Sequence, residues 1–282
     1  MEFEKVGSAQ IALFVIGTLL FLIIPLVIAI IWTKKKKEKF TTVLVGAATF
    51  LLFAVILEKP LQNILIFPVQ MGLPEHAAAK FISERPVLWA LLLGLFPGVF
   101  EETGRLVAFK TVLKKRKNRE TGVSHGIGHG GFEVMLVLGI NYIIYIVYAS
   151  MINAGSFGDL LTQLEAQAPG QAEAGKQIAA QLASFSAGDL LLGIVERIFA
   201  FMYHTGASML VFYACKDKKK FWLYPLAILI HTLIDASVGL HMAGVISLSP
   251  LMQEAIVAVS GSAVFFGAYF LLYKKDRGNG QA

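Results

Sequence analysis

Seven long apolar stretches constrain this chain more than any other feature of its sequence. Each approaches or exceeds the roughly 20 residues that an α-helix needs to cross the hydrocarbon core of a bilayer. With 56% hydrophobic residues and a mean hydropathy of +0.67, the 282-residue chain lies outside the soluble range. We therefore predict an all-α, polytopic membrane bundle that forms one membrane-embedded domain over residues 1–282. Its first to seventh helices lie at about 10–32, 40–58, 87–110, 123–150, 188–215, 221–244 and 252–273.

Basic residues set the expected orientation, because they cluster after the odd-numbered helices. By the positive-inside rule this face is cytoplasmic, which places the N-terminus outside and the C-terminus inside a cell membrane, as in a bacterial plasma membrane. The net charge of +6 is mostly this topological signal. We expect no nucleic-acid partner, since the clusters are short and lack interleaved aromatic residues. The clusters are Lys34–Lys37, then Lys114, Lys115, Arg116, Lys117 and Arg119, then Lys216 and Lys218–Lys220, and finally Lys274, Lys275 and Arg277.

Two longer connections are expected on the exterior face. Residues 58–85 contain three prolines and are followed by Pro86, and their apolar part, 61–73, is too short to cross the membrane. This part is predicted to lie in the interface or to re-enter the membrane. Residues 153–187 are rich in Gln, Ala, Gly and Ser, and an amphipathic helix is predicted at about 172–185.

Ionisable residues inside four of the apolar helices indicate a functional site. A charged group in hydrocarbon costs several kcal/mol, so such residues are rare unless they have a role. Counted from the basic clusters at ~1.5 Å per residue, most of them lie ~12–18 Å along their helices, near the middle of the membrane. We therefore predict one intramembrane site on the third to sixth helices. Its candidate residues are Glu101, Glu102, His125, His129, Glu133, His204, His231 and Asp235.

The spacing of these residues suits a metal or an acid–base centre. Residues four apart share one face of a helix, and this spacing relates Glu101 to Arg105, His129 to Glu133, and His231 to Asp235. An Asp one turn from a His can hold the imidazole tautomer or ligate a metal directly. Buried ion pairs or inter-helix hydrogen bonds are the structural alternatives.

Three neighbouring features are less specific. His125 is either an accessory site residue or an interfacial histidine, and His204 alone is equally compatible with a ligand and a packing role. Arg197 lies seven residues before His204, on the same face of the fifth helix, and is predicted to be structural or to contact substrate.

We expect the site to line a polar cavity that opens toward the cytoplasm, because glycines would thin the wall there. These glycines are Gly126, Gly128, Gly130 and Gly131.

The ordered motifs resemble those of the YhfC family of intramembrane metalloproteases, which is related to the PrsW and CAAX/Abi proteases. The resemblance covers the third to sixth helices. It implies that Glu101 or Glu102 is the general base, that Arg105 orients the acid pair, and that His231 binds metal or water beside Asp235. The middle motif departs from the relatives, which place Phe four residues before a His or Glu. Either His129 or Glu133 therefore fills that position. The motifs are Phe-Glu101-Glu102-Thr-Gly-Arg105, Ser-His125-Gly-Ile-Gly-His129-Gly-Gly-Phe-Glu133 and His231-x-x-x-Asp235.

The resemblance implies an intramembrane metallo-endopeptidase whose substrate is a membrane-associated peptide or protein. The expected cofactor is Zn²⁺, held by some of His129, Glu133, His204 and His231, with Asp235 as a helical partner or further ligand. A metal-free mechanism with a Glu-activated water uses the same residues. The alternatives are a proton- or ion-coupled transporter, because such relays also use intramembrane acids and histidines, and a non-catalytic scaffold or immunity protein.

Overall fold

A computed structural model of the protein describes residues 3–167 and 170–276, and within these ranges it contains helices and no strands. Seven helices in these ranges are long and apolar enough to cross a membrane, which confirms the predicted fold class. Most of their ends fall within a few residues of the predicted ones, and we keep the names first to seventh for them. Arg277 lies outside the described residues, and the orientation of the termini stays a prediction. The seven helices are Ser8–Lys36, Phe40–Ile66, Pro86–Lys110, Glu120–Ala154, Ala187–Lys216, Lys218–Met242 and Pro250–Tyr273.

The second helix is longer than the sequence suggested. It continues through a π-helical segment, Leu51–Glu58, and ends at Ile66. The sequence prediction placed the start of a loop at Glu58 because prolines, beginning with Pro60, follow the apolar run. That boundary was wrong, since Pro60 occupies the first turn of the α-helical part, where its missing N–H costs little. Only the remainder of the connection leaves the helix, through the 3₁₀ turn Pro68–Met71 and the short helix Ala77–Ser83.

The predicted exterior segment after the fourth helix folds into two short helices. These helices, Phe157–Gln167 and Gln171–Ser184, pack against each other and against the fourth helix. The second of them agrees with the amphipathic helix predicted at about 172–185. The Glu165 carboxylate accepts the backbone N–H groups of Gly170 and Ala172 at 3.0 and 2.8 Å, which lowers the pKa of this carboxyl group.

Glycines allow the spanning helices to touch backbone to backbone. The second helix packs against the fourth, and a Cβ atom added to Gly128 would lie 1.9 Å from the carbonyl oxygen of Val43. The third helix packs against the sixth, where a Cβ on Gly94 would lie 2.3 Å from the carbonyl oxygen of Thr232. Small residues permit such close approach within membranes. These contacts fix the rotation of the third, fourth and sixth helices, three of the four that carry the ionisable residues.

A proline in the third helix is compensated by the second helix. Pro97 has no N–H, so the carbonyl of Leu93, four residues earlier, lacks its usual helical donor. The buried side chain of Gln62 donates to that carbonyl at 3.2 Å. Because Gln62 belongs to the added length of the second helix, this contact ties that extension to the helix that carries Glu101 and Glu102.

The close contact at Gly128 predicts a large effect of a single added methyl group. We expect Gly128→Ala to lower the free energy of unfolding by about 3 kcal/mol or more, because the obstacle is backbone and no side chain can rotate away. Gly267→Ala is the matched control, since nothing lies within 4 Å of its added Cβ. Thermal unfolding in detergent measures both, and equal midpoints for the two variants would contradict the backbone contact.

Candidate active site

The acid pair of the third helix is organised by one buried arginine. Arg105 has no exposed surface, and its guanidinium donates to Glu102 Oε1 at 2.7 Å and to Ser208 Oγ at 3.2 Å. Its Nη2 atom donates to His204 Nδ1 at 2.7 Å and lies 3.6 Å from Glu101 Oε2. Arg105 therefore connects both glutamates of its own helix with the fifth helix.

The two adjacent glutamates contact different helices. His129 Nε2 of the fourth helix donates to Glu101 Oε2 at 2.9 Å, and His231 Nδ1 of the sixth helix donates to Glu102 Oε1 at 2.9 Å. This divergence follows from helical geometry, because neighbouring residues point ~100° apart. Each imidazole uses one nitrogen toward a carboxylate, which is how metal-binding histidines are commonly oriented.

The tautomer of His204 follows from its partners. Arginine can only donate, so His204 Nδ1 accepts from Arg105 and, in the neutral ring, Nε2 carries the hydrogen. That nitrogen lies 2.5 Å from Glu133 Oε2. Arg197 in turn donates to Glu133 Oε1 at 3.1 Å and also contacts Glu196. Arg197 thus holds Glu133 in place, and its contact with a substrate stays a prediction.

His125 lies one helical turn from the main cluster and has no exposed surface. Its Nδ1 is 3.1 Å from Ser208 Oγ, and its Nε2 is 3.3 Å from Thr49 Oγ1. Because Arg105 donates to the Ser208 oxygen, the Ser208 hydroxyl is free to donate to His125, and His125 then donates to Thr49. His125 is therefore a buried link between the second, fourth and fifth helices. It is not an interfacial residue.

Three predicted residues form a group that could hold a metal. One ligand atom each from Glu101, His129 and His204 can be chosen so that all three lie within 4.8 Å of one another. The residues fit a divalent cation such as Zn²⁺, which binds imidazole nitrogen and carboxylate oxygen. To bind it, His204 would give up either the Nε2 hydrogen that faces Glu133 or the Nδ1 contact with Arg105. His129 Nδ1 supports the fit, because it is buried without a hydrogen-bond partner in the described part of the chain.

The sequence analysis predicted a different division between metal ligands and the general base. It treated Glu101 as a possible general base and placed His231 and Asp235 among the metal residues. In the structure Glu101 belongs to the group that could hold a metal, whereas His231 Nε2 lies 3.5 Å from Asp235 Oδ2. Both His231 and Asp235 line a polar cavity of about 140 Å³ beside that group. The Asp235 side chain is 38% exposed and Glu133 is 14% exposed, so both acids can meet a water molecule.

The direction of this cavity corrects the sequence prediction. From His204 it extends along Arg197 toward the start of the fifth helix, and from His231 along Val238 toward the end of the sixth. It therefore extends away from the basic clusters rather than toward them. The glycines of the fourth helix do not thin a wall, because they serve helix packing. A Cβ on Gly126, for example, would lie 2.5 Å from the Cα of Thr205.

Sequence reasoning missed three buried polar residues near the site. Ser208 joins Arg105 to His125, and Tyr203 packs edge-on against the rings of both His204 and His231. Glu58 is 1% exposed at the end of the π-helical segment. A serine or tyrosine in an apolar helix is too common to be a signal. The carboxylate of Glu58 is such a signal, but its position at the end of an apolar run suggested a loop.

The fold and the buried site define a multi-pass membrane protein with a histidine–glutamate centre in its interior. Residues 19–257 match the model of the YhfC intramembrane metalloprotease family, and the chain belongs to this family. It is 30% identical over 239 residues to the uncharacterized membrane protein YhfC of Bacillus subtilis (strain 168). The alignment covers 84% of this chain and 87% of that protein. No solved structure matches the chain.

The network around Arg105 predicts that lysine cannot replace it. We expect Arg105→Lys to lower the free energy of unfolding by at least ~2 kcal/mol, because one ammonium cannot serve two carboxylates, His204 and Ser208 together. Arg85→Lys is the control, since Arg85 and its partner Glu84 are both about half exposed, and its effect should stay below ~1 kcal/mol. Thermal unfolding midpoints in detergent compare them. Similar shifts would mean that the buried contacts contribute little.

Proposed function

We propose that this protein is an intramembrane metallo-endopeptidase in which Glu101, His129 and His204 hold a divalent metal, Zn²⁺ by the chemistry of the donors. The proposal depends mainly on one observation, the convergence of these three ligand groups within 4.8 Å in the interior of a membrane bundle. The family match supports the same function. The acids of the site also outnumber its two arginines, and this excess of negative charge favours a bound cation.

A bound metal would polarise the water or the peptide carbonyl and make attack possible near neutral pH. Glu133 is the acid best placed to accept the proton, because it borders the cavity and its Oε2 lies 2.5 Å from His204 Nε2. The water oxygen bonds to the carbonyl carbon, the carbon–nitrogen bond breaks, and the proton held by Glu133 passes to the leaving amine. The products are a carboxylate and an amine.

The remaining residues position these groups. Arg105 holds the side chains of Glu101 and His204 in position, since its Nη2 atom lies 3.6 Å from Glu101 Oε2 and 2.7 Å from His204 Nδ1. Glu102 is fully buried and shares its Oε1 atom between Arg105 and His231, so it serves orientation better than proton transfer. Asp235 and His231 border the cavity, where they can bind the peptide backbone near the scissile bond. This division assigns the base to Glu133 rather than to either member of the acid pair.

Of the alternatives raised by the sequence, a transporter or a non-catalytic scaffold would use the same buried acids without a metal requirement. The family match favours the peptidase. Metal content and peptide cleavage therefore separate the peptidase from both alternatives.

Metal content tests the proposed ligands. Purified protein should bind about one Zn²⁺ per chain, and His129→Ala and His204→Ala should each lower this stoichiometry, because each removes one ligand. His76→Asn is the control, since His76 is a histidine of the exterior connection whose side chain caps a short helix, and Asn keeps a capping oxygen. Elemental analysis of protein in detergent measures the content. Wild-type protein without metal, and activity unaffected by chelators, would exclude the metal mechanism.

Amide substitutions distinguish the roles of the acids. Glu133→Gln should reduce cleavage of a fluorescence-quenched apolar peptide library at least ~100-fold with zinc retained, because the amide cannot accept the proton. Glu101→Gln should instead lower zinc content. Glu196→Gln is the matched control, since it borders the same cavity and also contacts Arg197. If Glu133→Gln behaves like Glu196→Gln, Glu133 is not the base.

A further inference from the structure

We propose that the substrate reaches this site from the membrane face opposite the basic clusters. By the positive-inside rule this face is the exterior one. The substrate class is then a polypeptide segment that presents its scissile bond in the outer half of the bilayer or at its outer surface. This inference rests on the proposed peptidase function and adds the side from which that site is used.

Three helices agree on the direction of the cavity. In the fifth helix, the lining residues other than His204 and its neighbour Tyr203 are Glu196, Arg197 and Ala200, all nearer to Ala187 than His204 is. In the sixth helix, the lining continues from His231 to Val238, toward Met242 and away from the basic residues that precede this helix. The seventh helix lines it through Val257 and Ser260, in its first half. These positions all lie on the side opposite the basic clusters.

The opposite side of the site is closed by packing. In the fifth helix every residue from 203 to 214 is buried, whereas none from 191 to 202 is buried. In the fourth helix every residue from 121 to 131 is buried. We call these two buried segments, 203–214 and 121–131, the plug. It includes His125 and Ser208, whose hydrogen bonds join three helices. A peptide approaching from the basic face would have to separate the fourth and fifth helices, which meet at Gly126.

The lining also limits what can enter. Its apolar wall is made by Ala200, Ile234, Val238 and Val257, and Ser260 adds a hydroxyl group. A cavity of about 140 Å³ admits a short extended stretch with small side chains and excludes an intact helix, whose diameter is about 10 Å. A transmembrane substrate would therefore need to be unwound near its outer end, where helices fray most easily.

Cysteine labelling tests the direction without a known substrate. In a Cys215→Ser background, Val238→Cys and Ser260→Cys are treated with a membrane-impermeant biotin-maleimide in right-side-out and inside-out vesicles. The control is Val112→Cys, because Val112 is 70% exposed at the basic end of the third helix. We expect the two cavity cysteines to react at least ~10-fold faster in right-side-out vesicles and Val112→Cys to react in inside-out vesicles. The reverse pattern for the cavity cysteines overturns the proposal.

A cleavage assay in the same vesicles tests the substrate class. The probe is the quenched peptide library carrying a sulfonated, impermeant dye, and Glu133→Gln protein supplies the background. Cleavage above this background in right-side-out vesicles alone supports the proposal, and cleavage in inside-out vesicles alone overturns it. If wild-type protein cleaves in neither orientation nor in detergent, the peptidase function fails and the substrate class with it. The labelling pattern then still reports which face the cavity opens to.

Discussion

The contacts of the Arg105 guanidinium are the interaction on which the interior of this protein depends. Two adjacent carboxylates in a membrane are tolerated only if a charge of opposite sign is close and rigidly held. Arginine suits the task because its planar group donates in several fixed directions at once. Here these directions reach Glu101, Glu102, His204 and Ser208, on the third and fifth helices. The site is thus a single electrostatic unit across the bundle rather than a set of separate ligands.

That unit requires helices that approach each other unusually closely. Association in a membrane gains little from the hydrophobic effect, so it relies on packing and on hydrogen bonds between helices. Gly128 against Val43 and Gly94 against Thr232 provide the packing, and the Gln62 side chain compensates for Pro97. Rigid packing also explains why the protein can keep several polar atoms buried. The plug on the basic side and the cavity on the other side are two consequences of the same arrangement.

This asymmetry gives the proposed peptidase one side from which substrate and water can reach the site. The side chains of Asp235 and Glu133 are partly exposed on one side of the site, whereas His125 and Ser208 on the other side are fully buried. A dry side strengthens the electrostatic contacts that orient the histidines, and a wet side supplies the water that hydrolysis consumes. The chain belongs to the YhfC family, and its Bacillus subtilis relative is an uncharacterized membrane protein. Which side of the membrane the site works from is therefore a question for that protein as well.

The sequence by itself determined the seven helices and the chemical types at the site. Apolar length decides what can span a bilayer, and the cost of charge in hydrocarbon marks the buried acids and histidines, so both are local properties. Only the tertiary structure decided that Glu101 pairs with His129 and Glu102 with His231, and that the cavity extends away from the basic clusters. The tertiary structure also showed that the second helix extends to Ile66. Partner choice depends on how helices rotate and how closely they approach, and these are set by contacts between residues far apart in the chain.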